Sequence, residues 1–422
     1  MARTLSHSRP SIVHVPRRYV AAEWGGTETV VQEISLQQQR QGWQPVVVTS
    51  MALASESRED LAGVPVVRHR YCYPFLGLSR DQKTELDKKG GNLLSLPLAA
   101  DLMTRPNVRL YHAHALNRLG GTVRAAARLR GKPFVVSLHG GVFDVPEDEQ
   151  ADLQKPVRGH VEWGRFWGAL VGARRVLEDA DHVICVGQSE TDKARAALTH
   201  DRISHLPNGV DCARFACGDG ARFRRAHGIP EEAFLVLNVS RIDAQKDQMT
   251  LVRAFAEFRV QHPAAHLLLI GPETQPAYAL RLRECIAALG IDSAVTLLPG
   301  IPNADRSLVD ALHACDLFVL PSRHEPFGIV ALEAWSAGRP VIASRVGGLA
   351  TLIRDQVTGW HFETGSVESL ERVMRHAAAH PEQCRSIAEA GRSEARAHYD
   401  WSRIAARLET IYQQAENHQR SR

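Results

Sequence analysis

Strands and helices alternate along nearly the whole of the 422-residue chain, and that alternation predicts an α/β protein with two doubly wound parallel sheets. Three observations carry the prediction. The length exceeds what one compact core holds and suits two domains. Short apolar runs such as FVVSL, HVICV, FLVLNV and LFVL recur, each followed by a turn and then a helical pattern. The turn-rich run LPNGVD, residues 206–211, separates two such series. The expected boundaries are 1–210 for an amino-terminal domain, 211–397 for a carboxyl-terminal one, and 398–422 for a last helix.

Composition narrows the function classes. Hydrophobic residues make up 44% and charged residues 23%, as in soluble globular proteins. A formal charge of +4 is too slight to point to nucleic acid as a partner, although a local anion site fits it. The seven cysteines are odd in number, scattered and without a C-x2-C pair, so neither a disulfide framework nor a zinc site is indicated. No run is long enough to span a bilayer, and the first ten residues lack the apolar segment of a signal peptide. A reducing cytoplasm is the expected location, with peripheral contact at a membrane surface left open.

In the amino-terminal half, Ile12 to Val15 reads as a strand, followed by Gly25 and Gly26 at the start of a helical pattern. Strand, Gly-Gly loop and helix is a layout that brings backbone amides to a phosphate, and equally an ordinary tight turn. Further strands are expected at 46–49, from Val66, at 108–112, at 134–138 and at 182–186. Residues 71–105, with a Gly90-Gly91 turn, read as an irregular excursion followed by a helix, of the kind that shapes a binding face. His112 and His114 read as hydrogen-bonded structural residues. His139, at the carboxyl end of FVVSL, is the stronger candidate, because ligand crevices lie at that end of parallel strands and a histidine there can serve a substrate hydroxyl or phosphate. Residues 142–160 are expected to form a mobile loop. Trp163, Phe166, Trp167 and Leu170 fall at helical spacing, and their aromatic face is expected in the core.

In the carboxyl-terminal half, Arg241 and Lys246 follow the strand FLVLNV. Two cations at a strand end suit a diphosphate, Arg as a planar fork and Lys as a compact charge. The following strands end at Gly271 and, through Pro299 and Gly300, at Ile301. The strand LFVL then leads to Glu325, Pro326, Phe327 and Gly328, with a helix expected from Ile329 and Glu333 in its second turn. The helix start faces an anion favourably, and two carboxylates eight positions apart can hold hydroxyls of a sugar and of a ribose. Taken alone, the pair also fits a plain helix start. Tyr399, Trp401, Ile404, Leu408, Ile411 and Tyr412 form an apolar stripe that predicts a docked final helix, with the tail 416–422 frayed.

The Gly25-Gly26 loop, PNGVD, Arg241 with Lys246, Gly271, Gly300, the E-x7-E pair and Gly347-Gly348 together resemble the retaining glycosyltransferases of family 4. That resemblance implies the GT-B fold, two Rossmann-like doubly wound domains facing across a cleft, with the final helix crossing back to the first domain. It also implies a hexosyltransferase that moves a sugar from a nucleoside-diphosphate donor, a UDP-hexose by default, to a hydroxyl acceptor: a saccharide, a lipid-linked glycan or a small molecule. Glu325 would meet the donor sugar, Glu333 the ribose, amides at 327–329 the sugar and diphosphate, Arg241 and Lys246 the diphosphate, and the backbone at Ile301 the base. Gly25 and Gly26 would lie against the donor phosphate and His139 near the transferred sugar. No metal or other cofactor is implied. Two positions depart from the family pattern: Leu349-Ala350-Thr351 stands where a Pro-Glu pair is common, and Asp247 where Gly is frequent. A GT-B phosphorylase, a nucleotide-sugar epimerase and a non-catalytic nucleotide-sugar-binding protein are the competing readings.

Overall fold

The computed structural model describes residues 10–21, 24–140, 143, 155–302 and 305–422. Backbone contacts divide the chain into a first unit, residues up to Pro207 together with Trp401–Arg422, and a second unit, Asn208–Asp400.

The first unit holds β1 (Ser11–Val15), α1 (Gly26–Arg40), β2 (Gln44–Ser50), β3 (Arg58–Leu61), β4 (Val64–His69), β5 (Val108–Ala113), β6 (Phe134–Leu138), β7 (His182–Cys185) and β8 (Ile203–His205). They form one sheet in the order β3-β4-β2-β1-β5-β6-β7-β8, with every pair parallel except β3 with β4. The direction of winding reverses at β1 and β5, the place where open α/β sheets leave a crevice for ligands.

In the second unit, β9 (Leu235–Val239), α2 (Gln248–Gln261), β10 (His266–Ile270), β11 (Val295–Leu298), β12 (Leu317–Leu320), α3 (Ile329–Ser336), β13 (Val341–Ser344) and β14 (Trp360–Phe362) follow in turn. The sheet is wholly parallel in the order β11-β10-β9-β12-β13-β14, and winding reverses between β9 and β12. Leu235 and Leu237 enter one apolar cluster while Val236 enters the other. Successive strand residues point to opposite faces, so helices cover this sheet on both sides.

The last helix, α4 (Trp401–Arg420), packs on the first unit, burying Trp401, Ile404, Leu408, Ile411 and Tyr412. The tail expected to fray is ordered helix as far as Arg420, because its polar groups have partners. Arg109 on β5 donates from Nε to Glu416 at 2.7 Å and from Nη2 to Glu409 at 2.7 Å, and its guanidinium lies 3.9 Å over the Trp43 ring.

The aromatic run also departs from expectation. Only Arg165–Leu170 is helical, and Phe166 and Leu170 are 71% and 63% exposed, with Val161 and Trp163 also exposed. Helical spacing reports that residues share a face, not what covers it. The loop expected at 142–160 lies mostly outside the described residues; Lys155–Val157 is one 3-10 turn. Within 71–105 there are two helices, Arg80–Lys89 and Leu96–Thr104, the first capped by the Ser79 hydroxyl. Strands β3 and β14 carried no signal, since REDL is polar and exposed and WHF is three residues long. Among the described residues no helix is long and apolar enough to cross a membrane.

Candidate active site

Four loops leave the carboxyl ends of the adjacent strands β11, β10, β9 and β12. The one after β9 carries Arg241 and Lys246. Asp243, nearly fully buried, fixes it: its carboxylate accepts from the Lys246 backbone N–H at 3.1 Å and from the Thr274 hydroxyl of the β10 loop at 3.0 Å. Gln248 Nε2 donates to the Arg241 carbonyl at 2.8 Å. Asp247 has φ 47°, a left-handed conformation of the kind that favours glycine. Its carboxylate accepts from Arg323 Nε at 3.0 Å and from the Thr250 hydroxyl at 2.8 Å, so local bonds hold the conformation.

The Gly271 position tolerates no side chain. A Cβ there would lie 1.7 Å from the Ser240 carbonyl oxygen, so glycine lets the β9 and β10 loops touch. At the next loop, Gly347 has φ +47°, and a Cβ would fall 2.3 Å from the carbonyl oxygen of Glu325. The Gly348 N–H donates to that carbonyl at 2.8 Å. Thus the backbone around Glu325 is fastened to the loop after β13, and Phe327, buried against Tyr399, anchors the other side.

The central feature is an ion pair. Lys246 Nζ donates to Glu325 Oε2 at 2.6 Å, and both side chains are largely buried, at 14% and 13% exposure. An ammonium has three donors and a carboxylate two oxygens, so the pair leaves N–H donors for an anion beside an acceptor for a hydroxyl. Immediately beyond, α3 begins at Ile329 after Gly328, with its first amides unpaired within the helix. Arg241 is half exposed and lightly tethered, with Nη2 donating to Gln245 at 2.8 Å and Nη1 3.3 Å from Asp243. Ile301 packs at the edge of the apolar cluster.

Glu333 stands one turn into α3. Its carboxyl lies deep among protein atoms although the residue keeps some exposure, and this burial pushes its pKa up to about 7, against the opposing pull of Arg214. A folded-state pKa above the unfolded value of about 4.3 means that the group's contribution to stability falls as pH rises from that value through 7.

In the first unit, α1 starts at Gly26 after β1, as a Gly-Gly loop into a helix. The Gly25 N–H already has a partner, donating to Glu28 Oε2 at 3.1 Å, which leaves Gly26 as the exposed start of the helix. His139 follows β6 and is half-buried; burial lowers its pKa to about 4, so it is neutral at pH 7. Its Nε2 lies 2.9 Å from His114 Nδ1. His14, His112 and His114 crowd together, but all six of their ring nitrogens have protein partners, the arrangement of a hydrogen-bonded cluster. Beside His114 a cavity of about 210 Å³ is lined by Arg17, Gly90, Gly91, Asn92 and Asn117.

Comparison with known proteins decides the family. Residues 24–214 match the model described as Glycosyltransferase Family 4, and residues 219–394 match that of Glycosyl transferases group 1. A D-inositol 3-phosphate glycosyltransferase from Actinosynnema mirum is 30% identical over 407 residues, covering 93% of this chain and 92% of its own. The chain belongs to the family 4 glycosyltransferases. The enzyme of the same name from Saccharomonospora viridis is 28% identical over 93% of this chain and 89% of its own. Among solved structures, HepE from Anabaena in complex with UDP and glucose superposes with TM-score 0.71 at 20% identity, over 95% of this chain and 99% of that one. Sucrose-phosphate synthase from Thermosynechococcus elongatus gives 0.73 at 22%, over 96% and 99%. These likenesses establish the GT-B fold.

For this glycosyltransferase, sequence reasoning singled out Arg241, Lys246, Gly271, Ile301, Glu325–Ile329 and Glu333, and all lie on loops or the helix at one end of the second sheet. Gly25, Gly26 and His139 lie at the corresponding strand ends of the first sheet. It missed the Lys246–Glu325 pair and the supporting Asp243, whose only sequence signal is a carboxylate between two cations on one loop.

Proposed function

We propose that the enzyme transfers a hexose from a UDP-sugar to a hydroxyl acceptor with retention at the anomeric carbon and without a metal. The Lys246–Glu325 pair at the start of α3 is the observation that carries this reading. In the proposed step the acceptor oxygen bonds to the anomeric carbon on the face from which the phosphate leaves. The bond from that carbon to the diphosphate oxygen breaks, and the acceptor's proton passes to the departing phosphate. Lys246, Arg241 and the amides of 327–329 offset the charge that develops on the diphosphate, a role that in other sites falls to a metal ion. Glu325 accepts from donor-sugar hydroxyls and Glu333 from the ribose. Gly26 is assigned to the donor phosphate, Ile301 to the base and His139 to the transferred sugar.

For the acceptor, the relatives' name and the cavity beside His114 favour a phosphorylated polyol, because Arg17 supplies that cavity with a cation. The expected assay result is turnover of UDP-glucose with D-inositol 3-phosphate and little with unphosphorylated inositol. Equal rates with both would remove Arg17 from the reading.

Donor binding has its own test. UDP-glucose at about 100 times its dissociation constant stabilises a protein by about 2.7 kcal/mol, and a thermal-shift series reads this directly. The stabilisation should be larger at pH 8 than at pH 6, since an ionised Glu333 is the stronger acceptor for ribose hydroxyls. Glu333→Gln should flatten the difference; an unchanged pH dependence in that variant excludes Glu333 as its source.

A further inference from the structure

His139 is one end of an unbranched hydrogen-bonded chain that runs through the interior of the first unit. Its Nε2 meets His114 Nδ1 at 2.9 Å, and His114 Nε2 meets His14 Nδ1 at 3.0 Å. His14 Nε2 meets the Gln38 carbonyl oxygen, Oε1, at 2.9 Å. From the other end of the same amide, Gln38 Nε2 donates to the Tyr412 hydroxyl at 3.1 Å. That hydroxyl lies 2.8 Å from His112 Nδ1, and His112 Nε2 lies 2.7 Å from Ser137 Oγ. The chain therefore leaves the end of β6 at His139, passes α1 at Gln38 and α4 at Tyr412, and returns to β6 at Ser137.

Each neutral imidazole has one donor and one acceptor nitrogen, so a proton fixed at any link dictates all the others. A carboxamide oxygen only accepts. With Gln38 Oε1 facing His14, the proton of His14 is on Nε2 and its Nδ1 is bare. His114 must then donate from Nε2 and accept at Nδ1, and His139 must donate from Nε2. Burial keeps His14, His112, His114 and His139 neutral at pH 7, as this arrangement requires. Gln38 Nε2 in turn donates to Tyr412, Tyr412 to His112 Nδ1, and His112 Nε2 to Ser137. All the bonds run in one direction, from His139 to Ser137. Reversing any one of them requires turning over the whole chain, including rotation of a buried amide.

We propose that Gln38, His14 and His114 are positioning residues that hold His139 as the Nε2–H tautomer, so that its Nδ1 meets a ligand as a hydrogen-bond acceptor. Among the described residues that nitrogen has no protein partner. The proposal rests on the assignment of His139 to the transferred sugar for its functional consequence, but not for the tautomer itself. A neutral acceptor at this position favours a ligand hydroxyl over a phosphate oxygen, which has no proton to give. Tyr412 ties the selection to α4, so the last helix of the chain sets the polarity of a residue at the end of β6.

The full chain, labelled with ¹⁵N-histidine, tests this by long-range ¹H–¹⁵N correlation at pH 7, with His139 assigned by its loss in His139→Gln. The expected wild-type spectrum shows a single His139 state with the proton on Nε2. Gln38→Met removes the acceptor that sets the direction and should give a mixture of both His139 tautomers. Gln38→Glu, whose carboxylate can only accept from His14, should keep the wild-type state. Turnover of Gln38→Met should fall in proportion to the fraction of the Nδ1–H tautomer. A tautomer mixture or an imidazolium at His139 in the wild type overturns the proposal, and so does a Gln38→Met spectrum identical to wild type. Tyr412→Phe, which frees the amide to rotate, should also give a mixture and serves if Gln38→Met does not fold. A correct tautomer response with no change in turnover leaves the positioning in place and removes His139 from the reaction instead.

Discussion

Lys246→Ala should lower turnover about 10²- to 10³-fold, the usual cost of removing one well-placed group that offsets transition-state charge. The loss should fall mainly on kcat. On the proposed reading the ground-state diphosphate would keep Arg241 and the amides at the start of α3, whereas the leaving oxygen would gain charge only as its bond breaks. The fold should tolerate the change, because the loop is held by Asp243 through the Lys246 backbone N–H, which alanine retains. Circular dichroism and thermal melting check that point, and steady-state kinetics with UDP-glucose and D-inositol 3-phosphate check the rate. Lys246→Arg should recover only part of the activity, since a planar fork does not occupy the place of a compact ammonium 2.6 Å from Glu325. A kcat for Lys246→Ala near that of the wild type would take the residue out of the reacting centre.

Glu325→Ala should also cost about 10²- to 10³-fold in turnover, for a second reason added to the loss of the proposed sugar contact. Without its carboxylate, Lys246 loses the partner that orients its ammonium, and a mobile cation is a poorer stabiliser than a fixed one. Glu325→Gln separates the two effects. It keeps an acceptor oxygen but removes the negative charge, so it should retain more activity than alanine while losing the fixed position of Lys246. The backbone role of residue 325, accepting from Gly348, survives in both variants, and neither should unfold the protein. The double variant with Lys246→Ala should be much less impaired than the product of the single losses, because the partners act as one unit. Strict multiplication of the two effects would show that they act independently.

Apart from β3 and β14, the sheet strands and the site loops were legible because each is a local pattern. FLVLNV, LFVL and VIAS are apolar runs ending in turns, and Glu325 with Glu333 is a spacing within one strand-to-helix junction. What stayed hidden depends on partners far apart in sequence. Lys246 and Glu325 are separated by 79 positions, and Gln38 and Tyr412 by 374. Phe166 and Leu170 have core composition and helical spacing, yet nothing in the sequence says what covers them. Asp247 was visible as a departure from the family pattern, and only the backbone angle shows why that position favours glycine.

The return of α4 to the first unit also governs how the chain is made. The first unit takes in the residues up to Pro207, but its core lacks Trp401, Leu408 and Tyr412 until residues 401–420 leave the ribosome. Residues 208–400 intervene, and at the usual rate of 5–20 residues per second their synthesis takes roughly 10 to 40 s. During that interval the surface that receives α4 is open, whereas the second unit is already complete in sequence. The unit whose residues are synthesised first is therefore completed after the other, because its core includes Trp401–Arg422.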